Sequence, residues 1–274
     1  MKIGSLFSGI GGLELGLERA IPNSKTVWQV EKDPYARAVL AKHWPEAKRY
    51  NDVEKVGAHN LEPIDICVGG FPCQDLSIAG KRAGIDGARS GLWREFARII
   101  GELRPRFVIV ENVPTLRLRG MDRVLGNLAA FGYDAVWDCI PAQAVGANHR
   151  RDRLFIVATM AHADSERQLQ QKGTIKNKWG RLSNGGPKMA DPNGARLQGH
   201  RPTRDARQVC PQKTVGLFSR SLGYVQAWEP EPGLGRVANG IPNRVDRLRC
   251  LGNAVVPQVA EIIGRVVVDL SRLE

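Results

Sequence analysis

The chain has 274 residues, 42% of them hydrophobic, which is enough for one large α/β domain and excludes wholesale disorder. Its five cysteines are odd in number and form no Cys-x-x-Cys pair, so we expect neither a disulfide scaffold nor a structural zinc site. The net charge of +12 favours a polyanionic partner.

Strand and helix patterns alternate through the first 160 residues, which predicts a mostly parallel, doubly wound α/β sheet. The first residues enter an apolar strand directly and no apolar run reaches membrane-spanning length, so we expect a soluble, cytoplasmic protein without a membrane partner. The predicted strands are 2–6, 27–30, 64–68, 107–110, 134–140 and 153–158, and the predicted helices are 13–20, 35–43, 91–103, 121–131 and 255–273.

After residue 160 the regular pattern stops. Residues 161–220 contain twelve Lys or Arg and four acidic residues, a net +8 of the total +12. A charge run is usually only a solvated surface, but so local an imbalance favours contact with nucleic acid. Because a structureless loop of this length is uncommon, we predict a small, loop-rich second domain at 160–240, between a first domain at 1–159 and a returning segment at 241–274.

A glycine-rich loop follows the first strand and opens the first helix. It comprises Phe7, Ser8, Gly9, Ile10, Gly11 and Gly12. Glu31 ends the second strand roughly twenty residues later, where a carboxylate can bind ribose hydroxyls. A dinucleotide is one candidate ligand, but the third glycine of that fingerprint falls at Glu14, whose charge would repel a pyrophosphate. A nucleoside cofactor without phosphates, such as S-adenosylmethionine, therefore fits better. Asp52 could accept from an adenine amino group or could belong to a simple surface turn.

Cys73 follows the apolar run 64–68 and a Gly-Gly turn. Ends of strands in open α/β sheets are where ligands bind and chemistry occurs. Cys67 lies inside the strand and is expected only to pack as a small apolar side chain. Cys73 lies beyond the strand, between Pro72 and Gln74, so we interpret it as a candidate nucleophile.

Two further groups fall at the same predicted edge of the sheet. Glu111 follows the strand 107–110; such a residue is usually solvated, but beside a nucleophile it could donate a proton. Arg153 begins the strand 153–158 and Arg151 lies two residues before it, so the two side chains should share a face and point at one pocket. The alternative for this pair is a phosphate-binding or solvated turn.

In this order, these motifs resemble the cytosine-5 DNA methyltransferases of bacterial and phage restriction–modification systems. The resemblance covers 1–158 and about 240–274, and its most specific parts are Gly70-Phe71-Pro72-Cys73-Gln74 and Glu111-Asn112-Val113. It implies a Rossmann-like fold, S-adenosylmethionine as cofactor, double-stranded DNA as substrate and 160–240 as the target recognition domain. A monomer is expected, with any cognate endonuclease encoded separately.

The resemblance also implies roles for individual residues. Cys73 would add to carbon 6 of a flipped-out cytosine, Glu111 would protonate ring nitrogen 3, and Arg151 and Arg153 would hold the carbonyl oxygen and Glu111. The implied cofactor contacts are Phe7, Gly9, Ile10, Gly11, Gly12, Glu31, Lys32, Asp52, Val53, Pro72, Leu92, Asn253 and Ala254. The implied DNA contacts are Gln74, Ser77, Lys81, Arg82 and Arg89, in a loop at 77–90 that is either a DNA-closing loop or an ordinary surface loop.

One departure from the family pattern is His149, which stands where the family has glutamine two residues before Arg151. Three other interpretations stay open from sequence. The same residues could methylate tRNA, the fold could serve a DNA-binding regulator without catalysis, or the glycine-rich loop could belong to a nicotinamide oxidoreductase.

Overall fold

The computed structural model describes residues 1–72, 92–160 and 243–272. Its strands are β1 (Lys2–Leu6), β2 (Lys25–Val30), β3 (Lys48–Tyr50), β4 (Ile66–Gly69), β5 (Phe107–Asn112), β6 (Tyr133–Pro141) and β7 (Asp152–Met160). Its helices are α1 (Gly12–Ala20), α2 (Pro34–His43), α3 (Leu92–Leu103), α4 (Met121–Ala130), α5 (Arg244–Asn253) and α6 (Pro257–Ser271). Short 3-10 turns occupy Val53–Lys55, Pro114–Leu118 and Ala142–Val145.

The seven strands described form one sheet in the order β3-β2-β1-β4-β5-β7-β6. The first five are parallel, whereas β7 runs antiparallel to both β5 and β6. The strand order reverses between β1 and β4, and the crevice outside the carboxyl ends of the strands at such a point is where open α/β sheets bind ligands. The prediction of a doubly wound, mostly parallel sheet is confirmed.

Each face of the sheet is covered by its own apolar layer. On one face Trp28, Trp93 and Phe96 pack with residues of α4, and on the other Ile3 and Phe155 pack with residues of α1 and α6. Central parallel strands are therefore buried on both sides, which accounts for the nearly continuous apolar run in β4.

Several boundaries follow from local chemistry that the sequence displays. The Asp33 side chain accepts a hydrogen bond from the Ala36 N–H at 3.0 Å, and Pro34 occupies the first helical position of α2, as predicted. The last helix begins at Pro257, two residues later than predicted, because proline starts a helix more readily than it continues one.

The stretch Arg244–Ser271 is the one candidate for a membrane span that length and composition identify within the described residues. It consists of two helices, α5 and α6, separated by three non-helical residues. Seven of the fifteen residues of α6 are buried, and Gly16 of α1 meets the Pro257 carbonyl so closely that a side chain there would clash. These contacts are those of a core helix.

Other features also differ from the sequence prediction, and strand β3 was not predicted. Strand β5 continues through Glu111 and Asn112, because β7 pairs with both residues. Helix α5 was not predicted, although its large apolar residues Val245, Leu248 and Leu251 recur every third residue; in the structure these residues are exposed and the helix has no buried residue.

Candidate active site

The carboxyl ends of β1, β2, β4 and β5 meet at one edge of the sheet. Register in the parallel pairs places Leu6 beside Val30 and Gly69, and Gly69 beside Val110. The segments that follow these positions carry the glycine-rich loop, Glu31, the Gly70–Pro72 turn and Glu111. The topology therefore brings the predicted cofactor-binding and catalytic segments to a common edge, as the sequence predicts.

The glycine-rich loop is held by the carboxylate of Glu31. Glu31 Oε2 accepts from the Gly9 N–H at 2.7 Å, and Oε1 accepts from the Asp33 N–H at 2.8 Å. Gly9 and Gly11 have φ angles of 56° and 87°, in the left-handed region that glycine adopts without strain. Each carboxylate oxygen keeps a further acceptor position, so Glu31 can still bind ribose hydroxyls.

A cleft of about 630 Å³ opens between this loop and the junction of α5 and α6. Its floor is close-packed, because a side chain at Gly12 would strike the Val255 carbonyl. Ala254 is part of the wall, as predicted, whereas Asn253 is exposed at the end of α5. The cleft is lined by Ile10, Gly11, Gly12, Leu15, His149, Arg151, Leu251, Ala254, Val255, Val256 and Pro257.

Three of the apolar residues among the predicted cofactor contacts gather in one cluster. Phe7, Val53 and Leu92 belong to or pack on the same apolar layer, and the Phe7 ring lies 6.2 Å from that of Phe96. Two other predicted cofactor contacts, Lys32 and Pro72, have exposed side chains. Asp52 is already engaged, since its side chain accepts from the Glu54 N–H at 3.0 Å and caps the turn Val53–Lys55.

Glu111 lies on β5 beside the turn that precedes Cys73. Its Oε1 lies 3.0 Å from Arg153 Nε, and its carboxylate occupies the space that a side chain at Gly70 would fill. Because β5 and β7 pair Glu111 with Phe155, Arg153 is the diagonal neighbour of Glu111 on the same face. Burial raises the pKa of Glu111 to about 7, although Arg153 and Arg151 act in the opposite direction.

The side chain of Asn112 holds the turn Gly70–Pro72 in place. This buried side chain donates from Nδ2 to the Phe71 carbonyl at 3.2 Å and accepts from the Val113 N–H at 2.8 Å. The Phe71 ring lies 5.4 Å from the ring of Trp93. Residues 71 and 72, which lead to Cys73, are thus attached to β5 and to α3.

Arg151 is directed differently from Arg153. Its Nη2 donates to the carbonyls of Gly252 and Ala254, at 2.8 and 2.6 Å, and its φ of 34° lies in the left-handed region. Burial and the neighbouring Arg153 lower the pKa of Arg151, and Glu111 opposes this shift. The expectation that both guanidiniums point at one pocket is thus corrected: Arg153 contacts Glu111, whereas Arg151 contacts the α5–α6 junction.

Comparison with known proteins identifies the family. The model of the C-5 cytosine-specific DNA methylase family matches residues 1–205, three quarters of the chain. The chain belongs to the C-5 cytosine-specific DNA methylase family. Members of this family use S-adenosylmethionine as methyl donor.

Two similar proteins are the type II methyltransferases M2.BsuMI of Bacillus subtilis and M.NlaIV of Neisseria lactamica. The first is 39% identical over 168 residues, covering 58% of this chain and 42% of that protein. The second is 32% identical over 175 residues, covering 58% and 41%. The chain thus spans less than half the length of these curated relatives.

One crystal structure is similar over nearly the whole chain. It belongs to an E. coli protein described as a DNA modification methyltransferase encoded within a prophage. The likeness has a TM-score of 0.60 at 21% identity and covers 99% of both chains, which supports the fold.

Several predicted site residues of this methylase lie outside the described residues. They include the candidate nucleophile and all the predicted DNA contacts, as well as nearly all of the predicted recognition domain. These residues are Cys73, Gln74, Ser77, Lys81, Arg82, Arg89 and the segment 161–242.

Sequence reasoning misplaced one residue and missed others. Glu14 is fully buried and accepts from Gln29 Nε2 at 3.4 Å, so it does not face the cleft and cannot repel a ligand there in the way we expected. An ion pair between Arg249 of α5 and Asp33, two residues after Glu31, was not anticipated. Cys67 is buried in β4 and burial raises the pKa of its thiol, in agreement with a packing role.

Proposed function

We propose that this protein transfers a methyl group from S-adenosylmethionine to carbon 5 of cytosine in DNA. The observation that carries the proposal is the position of Glu111, a mostly buried carboxyl that contacts Arg153 and lies against Gly70, three residues before Cys73. Family membership supports the reaction class.

The residues at this edge of the sheet, in the cleft and beside it, offer groups that fit a nucleoside cofactor. Glu31 offers acceptors for ribose hydroxyls, the loop glycines permit close approach, and Phe7, Val53 and Leu92 offer an apolar surface for a base. Lys32, Asp52, Pro72, Asn253 and Ala254 complete the proposed set. When bound, the cofactor supplies an electrophilic methyl group on a sulfonium.

The proposed chemistry begins at Cys73. Its thiolate forms a bond to carbon 6 of cytosine, and Glu111 gives its proton to ring nitrogen 3, so that no net negative charge accumulates on the ring. Carbon 5 then takes the methyl group and a neutral thioether leaves. A base removes the carbon 5 proton, the carbon 6–sulfur bond breaks to restore the thiolate of Cys73, and ring nitrogen 3 returns its proton to Glu111.

The two arginines have separate parts in this proposal. Arg153 contacts Glu111 and stabilises the carboxylate that remains after proton transfer. Arg151 holds the carbonyls of Gly252 and Ala254, and so fixes one wall of the cofactor cleft relative to the catalytic carboxyl.

Cytosine stacked in a duplex cannot reach Cys73, so the base must be flipped out, at a cost of about a few kcal/mol. We propose that the segment 77–90, with Lys81, Arg82 and Arg89, closes over double-stranded DNA, and that 160–240 recognises the target sequence. The net +8 within 161–220 supports this assignment. A monomeric cytoplasmic enzyme, with any cognate endonuclease encoded separately, completes the proposal.

The test compares methyl incorporation from labelled S-adenosylmethionine into duplex DNA and into tRNA. We expect transfer to DNA, abolished by Cys73→Ser, and a covalent adduct with DNA containing 5-fluorocytosine that requires both the cofactor and Cys73. Bisulfite sequencing of DNA from expressing cells then gives the target site. Transfer to tRNA alone, or full activity of Cys73→Ser, contradicts the proposal.

A further inference from the structure

Beneath the glycine-rich loop lies a buried polar cluster that the proposed chemistry does not use. Glu14 of α1 and Gln29 of β2 have no exposed surface, and Ser5 and Ser8 lie beside them. The Ser8 hydroxyl donates toward the Ser5 hydroxyl at 2.9 Å and toward the Ser5 carbonyl at 3.3 Å. The cluster therefore joins the first helix, the cofactor loop and the two strands that end at the cleft.

Glu14 and Gln29 are only half satisfied if both are taken in their ordinary forms. Gln29 Nε2 donates to Glu14 Oε1 at 3.4 Å, whereas Glu14 Oε2 and Gln29 Oε1 have no hydrogen-bond partner. A carboxylate offers acceptors alone, so an ionised Glu14 leaves two buried acceptors without a donor. One proton on Glu14 Oε2 supplies the missing donor and completes a second bond to Gln29 Oε1.

We propose that Glu14 is a positioning residue for the cofactor loop: its carboxyl, kept as the neutral acid, pairs through two hydrogen bonds with the Gln29 carboxamide and holds α1 and the loop against β2. Gln29 lies two residues before Glu31, which directly follows the end of β2. Fixing Gln29 therefore helps to fix the carboxylate that binds the Gly9 N–H.

The electrical surroundings favour the neutral form. Burial raises the pKa of Glu14 to about 7, and the groups that lower it are the neutral Ser5, Ser8 and Gln29 side chains and its own backbone N–H. Charged side chains on the elements around α1 are engaged elsewhere. Glu18 accepts from Thr26 and Trp44, Arg19 pairs with Glu261 of α6, and Glu31 accepts from Gly9 and Asp33. On this face of the sheet β4 presents the apolar side chains of Ile66 and Val68.

The experiment measures binding of S-adenosylhomocysteine by calorimetry, without DNA, to matched variants. Glu14→Gln keeps one donor and one acceptor, so its affinity should stay within about twofold of the native protein. Glu14→Leu removes the pair and should weaken binding about tenfold, with the maximal methylation rate unchanged at saturating cofactor. Thr26→Val is the control, because the buried Thr26 hydroxyl has no partner and its removal should change nothing.

Two results overturn the inference. One is a Glu14→Gln protein that binds as weakly as Glu14→Leu, which means that the negative charge is required. The other is a Glu14→Leu protein that binds as well as the native one. If Glu14→Leu does not fold, Gln29→Leu takes its place, because it removes the same pair from the other side.

The inference rests on the proposed function only in treating 7–12 as the cofactor loop. Failure of the native protein to bind S-adenosylhomocysteine would contradict the proposed function instead. The acid–amide pair then shows in urea unfolding, where the native protein should lose stability relative to Glu14→Gln as the pH rises toward and through about 7. If the free energies of unfolding of the two proteins change in parallel with pH, the inference is overturned.

Discussion

The proposed cofactor half of the sheet edge and the proposed catalytic half each contain one glutamate that is wholly or mostly buried. Glu14 lies below the glycine-rich loop and Glu111 lies beside the Gly70 turn, and burial raises the pKa of both to about 7. Their neighbours differ. Glu111 contacts the guanidinium of Arg153, whereas Glu14 has only hydroxyl and amide groups around it.

This difference separates two uses of the same side chain. A carboxyl that must lose its proton during a reaction needs a neighbour that stabilises the anion, and Arg153 is such a neighbour. A carboxyl surrounded by neutral groups gains most by keeping its proton, because an unpaired buried charge is costly. A raised pKa therefore identifies neither role until the partners are known.

The largest expected effect tests this contrast directly. Glu111→Gln cannot donate a proton to the ring, so its methylation rate should fall about 10²- to 10⁴-fold with cofactor affinity unchanged. Glu14→Gln should stay within about twofold of the native rate. The measurement is methyl incorporation into DNA at saturating S-adenosylmethionine.

A loss below about tenfold in Glu111→Gln would remove the assignment of Glu111 as the acid. The substitution Arg153→Met removes the guanidinium that contacts Glu111 but leaves the Glu111 carboxyl able to donate its proton. Since Arg153 lowers the pKa of Glu111, that pKa should rise in the variant, and the fall in rate at high pH should begin at a higher pH.

The next effect concerns stability. Both glutamates have folded-state pKa values near 7 against an ordinary 4.5, so their stabilising contribution is complete below about 4.5 and is lost as the pH rises through about 7. Each shift corresponds to at most about 3 kcal/mol in the free energy of unfolding. Urea unfolding across this range should show the native protein losing stability relative to Glu14→Gln.

Other carboxyls act in the opposite direction. The Ala58 N–H and Arg98 lower the pKa of Glu102, so its contribution grows as the pH rises. The difference between native and variant proteins at each pH is therefore the decisive quantity. A constant difference would show that Glu14 does not change its protonation between folded and unfolded states.

A smaller effect is expected at the link between the two halves. Arg151→Met removes both hydrogen bonds to the Gly252 and Ala254 carbonyls, and should weaken binding of S-adenosylhomocysteine about tenfold. Arg150→Met is the matched control, because Arg150 pairs with Asp152 at an exposed position. Equal effects of the two substitutions would contradict the role of Arg151 in holding the cleft wall.

Much of the fold was predictable from sequence because its causes are local. The apolar run of β4, the Asp33-Pro34 start of α2 and the core-facing pattern of α6 depend on neighbours within a few residues. Helix α5 was not predicted, although its large apolar residues recur every third residue, and in the structure these side chains are exposed.

The candidate site was predictable in its residues more than in its contacts. Gly70 is needed because the Glu111 carboxylate fills the space of its missing side chain, a contact between residues 41 positions apart. Arg151 binds carbonyls more than 100 positions away. Glu14 was misjudged because its place in the glycine pattern suggests the ligand, whereas its position on α1 turns it toward Ser5 and Gln29.

The smallest expected effect distinguishes two ways of holding α5 over the cleft. Arg249 pairs with Asp33 and Asp246, but its side chain is 53% exposed, and exposed ion pairs contribute less than about 1 kcal/mol. Arg249→Ala should therefore raise the dissociation rate of S-adenosylhomocysteine by only about twofold, and less at high salt. Stopped-flow dissociation measures this rate, with Arg247→Ala as control. An effect as large as that of Arg151→Met would mean that α5 is held over the cleft mainly by the ion pair with Asp33. The cofactor half of the edge would then be held together without the contacts of Arg151.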